Sequence, residues 1–108
     1  MLPLPRKCVQ KKKPPKTVRR LQLKKEIHRL VFDFFDSLCA YCGEEAVNLD
    51  HIIPKYRKGD DSPCNLVSSC EFCNTWKGSD IYEKWYTEAN HPDFHPIRAE
   101  RIKEWRSR

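Results

Sequence analysis

Two Cys-x-x-Cys pairs, Cys39/Cys42 and Cys70/Cys73, constrain the fold of this chain more than any other feature of its sequence. Two thiolates three positions apart can bind one metal ion, and zinc favours four such ligands in a tetrahedron. A chain of 108 residues buries limited apolar surface, so an additional crosslink is expected. We therefore predict a structural zinc site formed by all four cysteines, with two disulfides or buried free thiols as the alternative.

The N-terminal sequence favours a reducing compartment, where cysteines bind metal more often than they form disulfides. Residues 1–7 contain no continuous apolar run and so lack the pattern of a secretory signal. No stretch approaches the length of a transmembrane helix. We therefore expect a cytoplasmic protein that is not secreted and has no membrane partner. In this setting Cys8 is expected to be a free thiol and Cys64 a bystander or a packing residue.

Positive charge is concentrated at the start of the chain. Residues 1–25 hold ten Lys or Arg and no acidic residue, whereas the whole chain holds 21 basic and 15 acidic residues. Residues 1–16 also contain four prolines and few apolar side chains, which predicts a disordered basic arm. Such an arm fits a polyanionic partner, and nucleic acid is favoured over a simple solubilising role. The candidate contacts are Lys11, Lys12, Lys13, Arg19 and Arg20.

Hydrophobic periodicity and turn residues predict a small α+β domain over residues 17–108. Apolar residues recur at helical spacing from Thr17 to about Ser37, so a first helix should lead into the first cysteine pair. Residues 46–49 and 65–68 are strand candidates that would pair as an antiparallel ribbon. A helix should begin at the second cysteine pair, with an interruption at residues 78–80, and a last helix should span about 97–107.

Three tryptophans and two histidines are expected to be structural residues and not ligand-binding ones. Trp76, Trp85 and Trp105 are expected to lie in the core of so small a domain. His91 and His95 are four positions apart, but each precedes a proline, which argues against a helical metal-binding pair. We therefore expect both histidines to be loop residues.

Asp50 and His51, which lie between the two cysteine pairs, are the candidates for chemistry. A zinc ion held by four thiolates has no open position, so catalysis requires other groups. A histidine can take a proton from water near neutral pH, and Asp50 offers a hard oxygen to a magnesium-type ion. Asn74, directly after the last cysteine, offers a neutral amide oxygen. In isolation an Asp-His pair is also typical of a hydrogen-bonded strand end.

The order of these motifs resembles the HNH endonuclease family. The resemblance covers residues 39–78, and the residues that carry it are the two cysteine pairs, Leu49-Asp50-His51-Ile52-Ile53-Pro54, Asn65-Leu66, Asn74 and Lys77. It implies a ββα-metal core flanked by helices, with His51 as general base and one Mg²⁺ or Mn²⁺ ion held by Asp50 and Asn74. Many members have a histidine where this chain has Asn74, whereas the HNH domain of RNA-guided CRISPR effectors uses asparagine there.

The resemblance also assigns roles to two residues further along the motif. Asn65 is implied to hold the loop and so to orient His51, without touching substrate. Lys77, about one helical turn beyond Asn74, is a candidate phosphate contact, with a solvated surface lysine as the alternative.

These features together predict a metal-dependent DNA endonuclease with a structural zinc ion. Double-stranded DNA is the expected partner, which implies a location at the nucleoid, and the protein is expected to be a monomer or a weak homodimer. The competing prediction is a nucleic-acid-binding module that is crosslinked by zinc and has no activity. That module would use the same cysteines and the same basic arm, but it would not explain why Asp50, His51, Asn65 and Asn74 all occupy motif positions.

Overall fold

The computed structural model describes residues 17–108, with side chains from residue 24 onward. The predicted basic arm, residues 1–16, lies outside the described residues, and so do the side chains of Arg19 and Arg20. Within residues 17–108, no helix combines the length and the apolar character needed to cross a bilayer.

The first helix, α1, spans Thr17–Phe34 and delivers the chain to the first cysteine pair. It ends slightly before the predicted Ser37 because Asp36 and Ser37 both adopt left-handed backbone conformations, with φ of 57° and 60°. The apolar stripe of α1 includes Val31, which is fully buried. This stripe packs on the core, as its helical spacing predicts.

The two strands form an antiparallel ribbon. Strand β1 spans Asn48–His51 and strand β2 spans Leu66–Ser69, with Asp50 opposite Val67. The predicted strand positions are each shifted by one or two residues. Asn65 belongs to a short 3-10 turn, Pro63–Asn65, that precedes β2 and does not belong to the strand itself.

Three further helices complete the described chain. Helix α2 spans Glu71–Lys77, α3 spans Tyr82–Trp85 and α4 spans Pro96–Arg106. Gly78, with φ of 51°, follows α2 at the predicted interruption. Trp105 of α4 is buried, and its Nε1 donates to the carbonyl oxygens of Pro63 and Leu66 at 2.8 Å each. These bonds hold α4 against the start of β2.

The predicted α+β class is confirmed: residues 17–108 contain a two-stranded sheet, four α-helices and a cluster of four cysteines. Trp85 and Trp105 lie in the core, where Trp85 contacts the ring of Tyr41 with 4.9 Å between centroids. Trp76 is 36% exposed and packs only partly on the core. The core thus lies between α1, the ribbon and α4, and the ribbon carries the motif residues.

Candidate metal centre and active site

The four predicted zinc ligands come together in the structure. The sulfur atoms of Cys39, Cys42, Cys70 and Cys73 all lie within 4.8 Å of one another. The sulfurs of Cys42 and Cys70 are 3.7 Å apart. Zinc–sulfur bonds of about 2.3 Å in a tetrahedron place neighbouring sulfurs about 3.8 Å apart. The spacing of the sulfurs therefore fits a metal such as zinc.

The electrostatics of the cluster also favour a bound cation. A hydrogen bond from Cys73 lowers the pKa of Cys39 to about 4, whereas burial raises the pKa of Cys42 to about 12. The bond to Cys39 also raises the pKa of Cys73. One thiolate therefore suppresses ionisation of its neighbours, because like charges repel at this distance. A divalent cation would offset this repulsion and allow all four to ionise.

His91 contacts this cluster, a role that the sequence did not reveal. It is buried in a loop, with Nε2 3.5 Å from the sulfur of Cys73. The backbone N–H of Asp93 donates to His91 Nδ1 at 3.0 Å, so the ring proton must lie on Nε2. His91 therefore donates a hydrogen bond to the sulfur, and burial lowers its pKa, which favours this neutral form. The loop position was predicted, but no local pattern indicates the contact.

Cys64 lies outside the four-cysteine cluster. It is disulfide-bonded, whereas the sequence suggested a bystander or a packing residue. The four cysteines of the two Cys-x-x-Cys pairs are free thiols. The structure therefore contains no disulfide within or between those two pairs.

Asp50 lies on β1 with its carboxylate turned into the domain. The hydroxyl of Tyr41 donates to Oδ2 at 2.6 Å, and Nζ of Lys77 lies 3.5 Å from the same oxygen. Burial raises the pKa of Asp50, and the charge of Lys77 partly opposes that effect. Both contacts engage Oδ2, and Oδ1 makes no hydrogen bond within the described part of the chain. Asp50 therefore keeps one oxygen that a cation could bind.

Lys77 occupies a different environment from the predicted phosphate contact. Its side chain is fully buried, and Nζ donates to the carbonyl oxygen of His51 at 2.9 Å. Burial lowers the pKa of Lys77, while Asp50 opposes this change. Because no part of the side chain reaches the surface, this placement argues against direct contact with a phosphate. Lys77 instead connects α2 to the end of β1.

His51 lies at the end of β1 and points away from Asp50, since adjacent side chains of a strand face opposite sides. Its side chain is 28% exposed, and Nε2 lies 2.8 Å from Oδ1 of Asp61. This hydrogen bond is the largest cause of the lowered pKa of Asp61. Asp61 belongs to the long loop between the strands, and sequence reasoning missed it because nothing local indicates that the loop returns to His51.

Asn65 holds that loop through its side-chain amide. Its Oδ1 accepts from the backbone N–H of Ile53 at 2.8 Å, and its Nδ2 donates to the carbonyl oxygens of Ile53 and Asp60 at 3.1 and 2.8 Å. Asn65 is itself buried. Both ends of the loop are thus tied to one residue, which is the arrangement that a loop-holding role requires.

Asn74 lies in α2 and is half-buried. Its side chain makes no hydrogen bond within residues 24–108. Lys77 lies three positions later, so both residues share one face of the helix. Because Lys77 contacts Asp50 and the backbone of His51, this face of α2 is directed toward β1. Asp50, His51 and Asn74 therefore belong to adjoining parts of the ribbon and helix.

Comparison with known proteins finds similarity over the same segment of the chain. Residues 39–80 match the model of the HNH endonuclease family. The chain is also 28% identical over 91 residues to a protein of Bacillus subtilis (strain 168) named "SPbeta prophage-derived putative HNH endonuclease YoqL". That alignment covers 70% of this chain and 38% of the relative, so the chain spans well under half the length of that protein.

Proposed function

We propose that this protein, whose residues 39–80 match the model of the HNH endonuclease family, is a metal-dependent endonuclease that hydrolyses phosphodiester bonds in double-stranded DNA. One observation carries the proposal. The partly exposed imidazole of His51 ends the strand that also bears Asp50, and α2 turns the face with Asn74 toward that strand. The proposed base and the two proposed oxygen ligands thus lie on adjoining parts of the ribbon and α2, and His51 is the one of them at the accessible end of β1.

His51 is the proposed general base. A ring nitrogen of His51 takes a proton from water while the water oxygen forms a bond to phosphorus. The phosphorus–oxygen bond on the opposite side breaks, and the leaving oxygen receives a proton from solvent. The partial exposure of His51 permits water and a phosphate to approach. The same residue is held at a fixed strand end by the bond from Lys77 to its carbonyl oxygen.

Asp50 and Asn74 are the proposed protein ligands of one Mg²⁺ or Mn²⁺ ion. Carboxylate and amide oxygens suit such hard cations, which usually keep several waters as further ligands. The ion would stabilise negative charge on the phosphate and on the leaving oxygen. Asp50 Oδ1 and the Asn74 amide, which make no hydrogen bonds within the described residues, are the atoms that fit this role.

The surface next to His51 supports binding of a polyanion. The 3-10 turn Lys55–Arg57 begins four positions after the end of β1, and Lys55, Arg57 and Lys58 are all exposed. These residues would approach phosphate groups on either side of the scissile bond, and such contacts dominate sequence-independent affinity for DNA. The basic arm, with Lys11, Lys12, Lys13, Arg19 and Arg20, is proposed to extend the same interaction.

A second candidate function is a nucleic-acid-binding module without activity. The observation that favours it is the burial of Asp50, whose carboxylate is bonded to Tyr41 and paired with Lys77. In that case Asp50 would stabilise the domain and His51 would simply end the strand. The two functions differ in whether DNA that is bound is also cut.

Cleavage of supercoiled plasmid by the zinc-loaded protein separates these functions. We expect nicked or linear DNA only when Mg²⁺ or Mn²⁺ is added, and a loss of about 100-fold or more in rate for His51→Ala. His28→Ala is the matched control, because His28 is an exposed histidine that stacks on Phe32 in α1. Plasmid that is bound but uncut with either metal, or equal cutting by His51→Ala, would refute the proposed mechanism.

A further inference from the structure

Asp61 and His51 form a side-chain pair across the loop between the strands. Oδ1 of Asp61 lies 2.8 Å from Nε2 of His51, and Oδ2 lies 3.5 Å from Nζ of Lys55. The side chains of His51 and Asp61 are 28% and 66% exposed. The pair therefore stands at the accessible surface, on the side of β1 where a substrate would approach.

The chemistry of the pair identifies which nitrogen carries the proton. An ionised carboxylate can only accept hydrogen bonds, so Nε2 of His51 must be the donor. Asp61 is ionised at neutral pH, because the bond from His51 holds its pKa below the usual value. In a neutral imidazole with the proton on Nε2, the lone pair lies on Nδ1. Nδ1 makes no hydrogen bond within the described residues and is not one of their buried atoms without a partner, so water can reach it.

Hydrogen bonds and close packing fix the position of the loop that carries Asp61. Asn65 bonds to the backbone at Ile53 and Asp60, immediately before Asp61. Gly59 donates its backbone N–H to the carbonyl oxygen of Pro54 at 2.9 Å, and a side chain at Gly59 would collide with the backbone of Ile53. A closely packed loop thus returns the carboxylate to the strand end.

We propose that Asp61 is a positioning residue for His51: it accepts the Nε2–H of the ring and so leaves Nδ1 as the atom that takes the proton from water. This inference rests on the proposed function, since it assigns the base within the same site. Asp61 itself touches neither water nor phosphate in this role. Its second oxygen, paired with Lys55, restrains the carboxylate.

The first test measures which ring nitrogen of His51 carries the proton and needs no assay of activity. Long-range ¹H–¹⁵N NMR distinguishes Nε2–H from Nδ1–H, and the four histidines can be told apart because the His51 signals are absent in His51→Ala. We expect the Nε2–H form in the parent and in Asp61→Asn, whose amide oxygen can still accept. Asp61→Ala should give a mixture of both forms.

The second test measures cleavage rates with the same variants. Asp61→Ala should lower kcat by about 10-fold with little change in KM, which is less than the loss from removing the base itself. Asp61→Asn should retain more activity than Asp61→Ala. The control is Glu88→Ala, which removes the same charge from an exposed residue that makes no hydrogen bond within residues 24–108.

The outcomes separate this inference from the function on which it rests. An Nδ1–H form of His51 in the parent, or the same ring form in Asp61→Ala as in the parent, overturns the role of Asp61. A higher requirement for Mg²⁺ in Asp61→Ala, with unchanged rate at saturation, would make Asp61 a metal ligand and also overturn it. If the parent cuts no DNA, the proposed function fails, whereas the NMR result still decides whether Asp61 sets the ring form.

Discussion

Replacing Lys77 by methionine would test the buried ion pair beneath the candidate active site. Lys77→Met keeps an unbranched apolar side chain that is one atom shorter and removes the ammonium group. That group lies 3.5 Å from Asp50 Oδ2 and donates to the carbonyl oxygen of His51 at 2.9 Å. Since both side chains are buried, water cannot replace these contacts. The substitution leaves Asp50 with the hydroxyl of Tyr41 as its remaining donor among the described residues.

The expected cost is large because a buried charge loses its partner. Removing one member of a buried ion pair destabilises a protein by about 3–5 kcal/mol. The lost bond to the His51 carbonyl contributes about 1 kcal/mol of that total. We therefore expect the free energy of unfolding of Lys77→Met to fall by about 3 kcal/mol or more at neutral pH, which is a substantial share of the stability of a small domain.

The pH dependence identifies Asp50 as the source of the loss. Burial already raises the pKa of Asp50, and loss of the lysine charge should raise it further. A carboxyl group with a raised pKa in the folded state favours folding below its unfolded pKa of about 4, and this contribution is lost as pH rises through the folded value. The destabilisation of Lys77→Met should therefore shrink as the pH is lowered from 7 toward 5.

Urea unfolding of the zinc-loaded protein at a fixed concentration of free zinc provides the measurement. Lys84→Met is the control, since Lys84 is exposed on α3 and its loss should change stability by no more than about 0.5 kcal/mol. Adding Asp50→Asn to Lys77→Met should recover part of the loss. A Lys77→Met variant as stable as the parent would refute the ion pair, and a loss independent of pH would exclude Asp50 as its cause.

The metal centre, the loop after β1 and the Asp61 carboxylate each allow a further direct test. Removal of the metal should abolish cooperative unfolding and reduce helical circular dichroism, because the four cysteines are then no longer joined through one ion. An unchanged spectrum would contradict a structural metal. Asn65→Ala should lower the free energy of unfolding by about 2 kcal/mol and speed hydrogen exchange at the Ile53 amide, whereas unchanged exchange would exclude the loop-holding role. Substituting alanine for His51 should raise the pKa of Asp61 toward that of an ordinary aspartate by ¹³C NMR titration. In the parent, the lowered pKa of Asp61 stabilises the folded state above about pH 4, and this small contribution is lost as pH falls through the folded-state pKa. His51→Ala should remove this contribution. An unchanged pKa of Asp61 in the variant would show that His51 does not lower it.

Local spacing was sufficient to predict the order of elements and the metal centre. Helical periodicity predicted α1, and short apolar runs predicted both strands to within one or two residues. The four cysteines could be assigned to one cluster because the geometry of each pair depends only on its own local turn. Element ends were less accurate, because consecutive left-handed residues at Asp36 and Ser37, and the 3-10 turn before β2, are not encoded by hydrophobic pattern.

The sequence by itself determined which four cysteines come together, the motif order and the α+β class, since these depend on residue type and short-range spacing. Only the tertiary structure decided which partners the motif residues meet. Lys77 is buried against Asp50, Asp61 returns to His51 across ten positions, and His91 reaches Cys73 from a later loop. Each of these contacts joins segments whose approach is fixed by strand register and core packing. Local sequence patterns do not specify such long-range contacts. The partners of each side chain are therefore set by how the ribbon and its helices pack together.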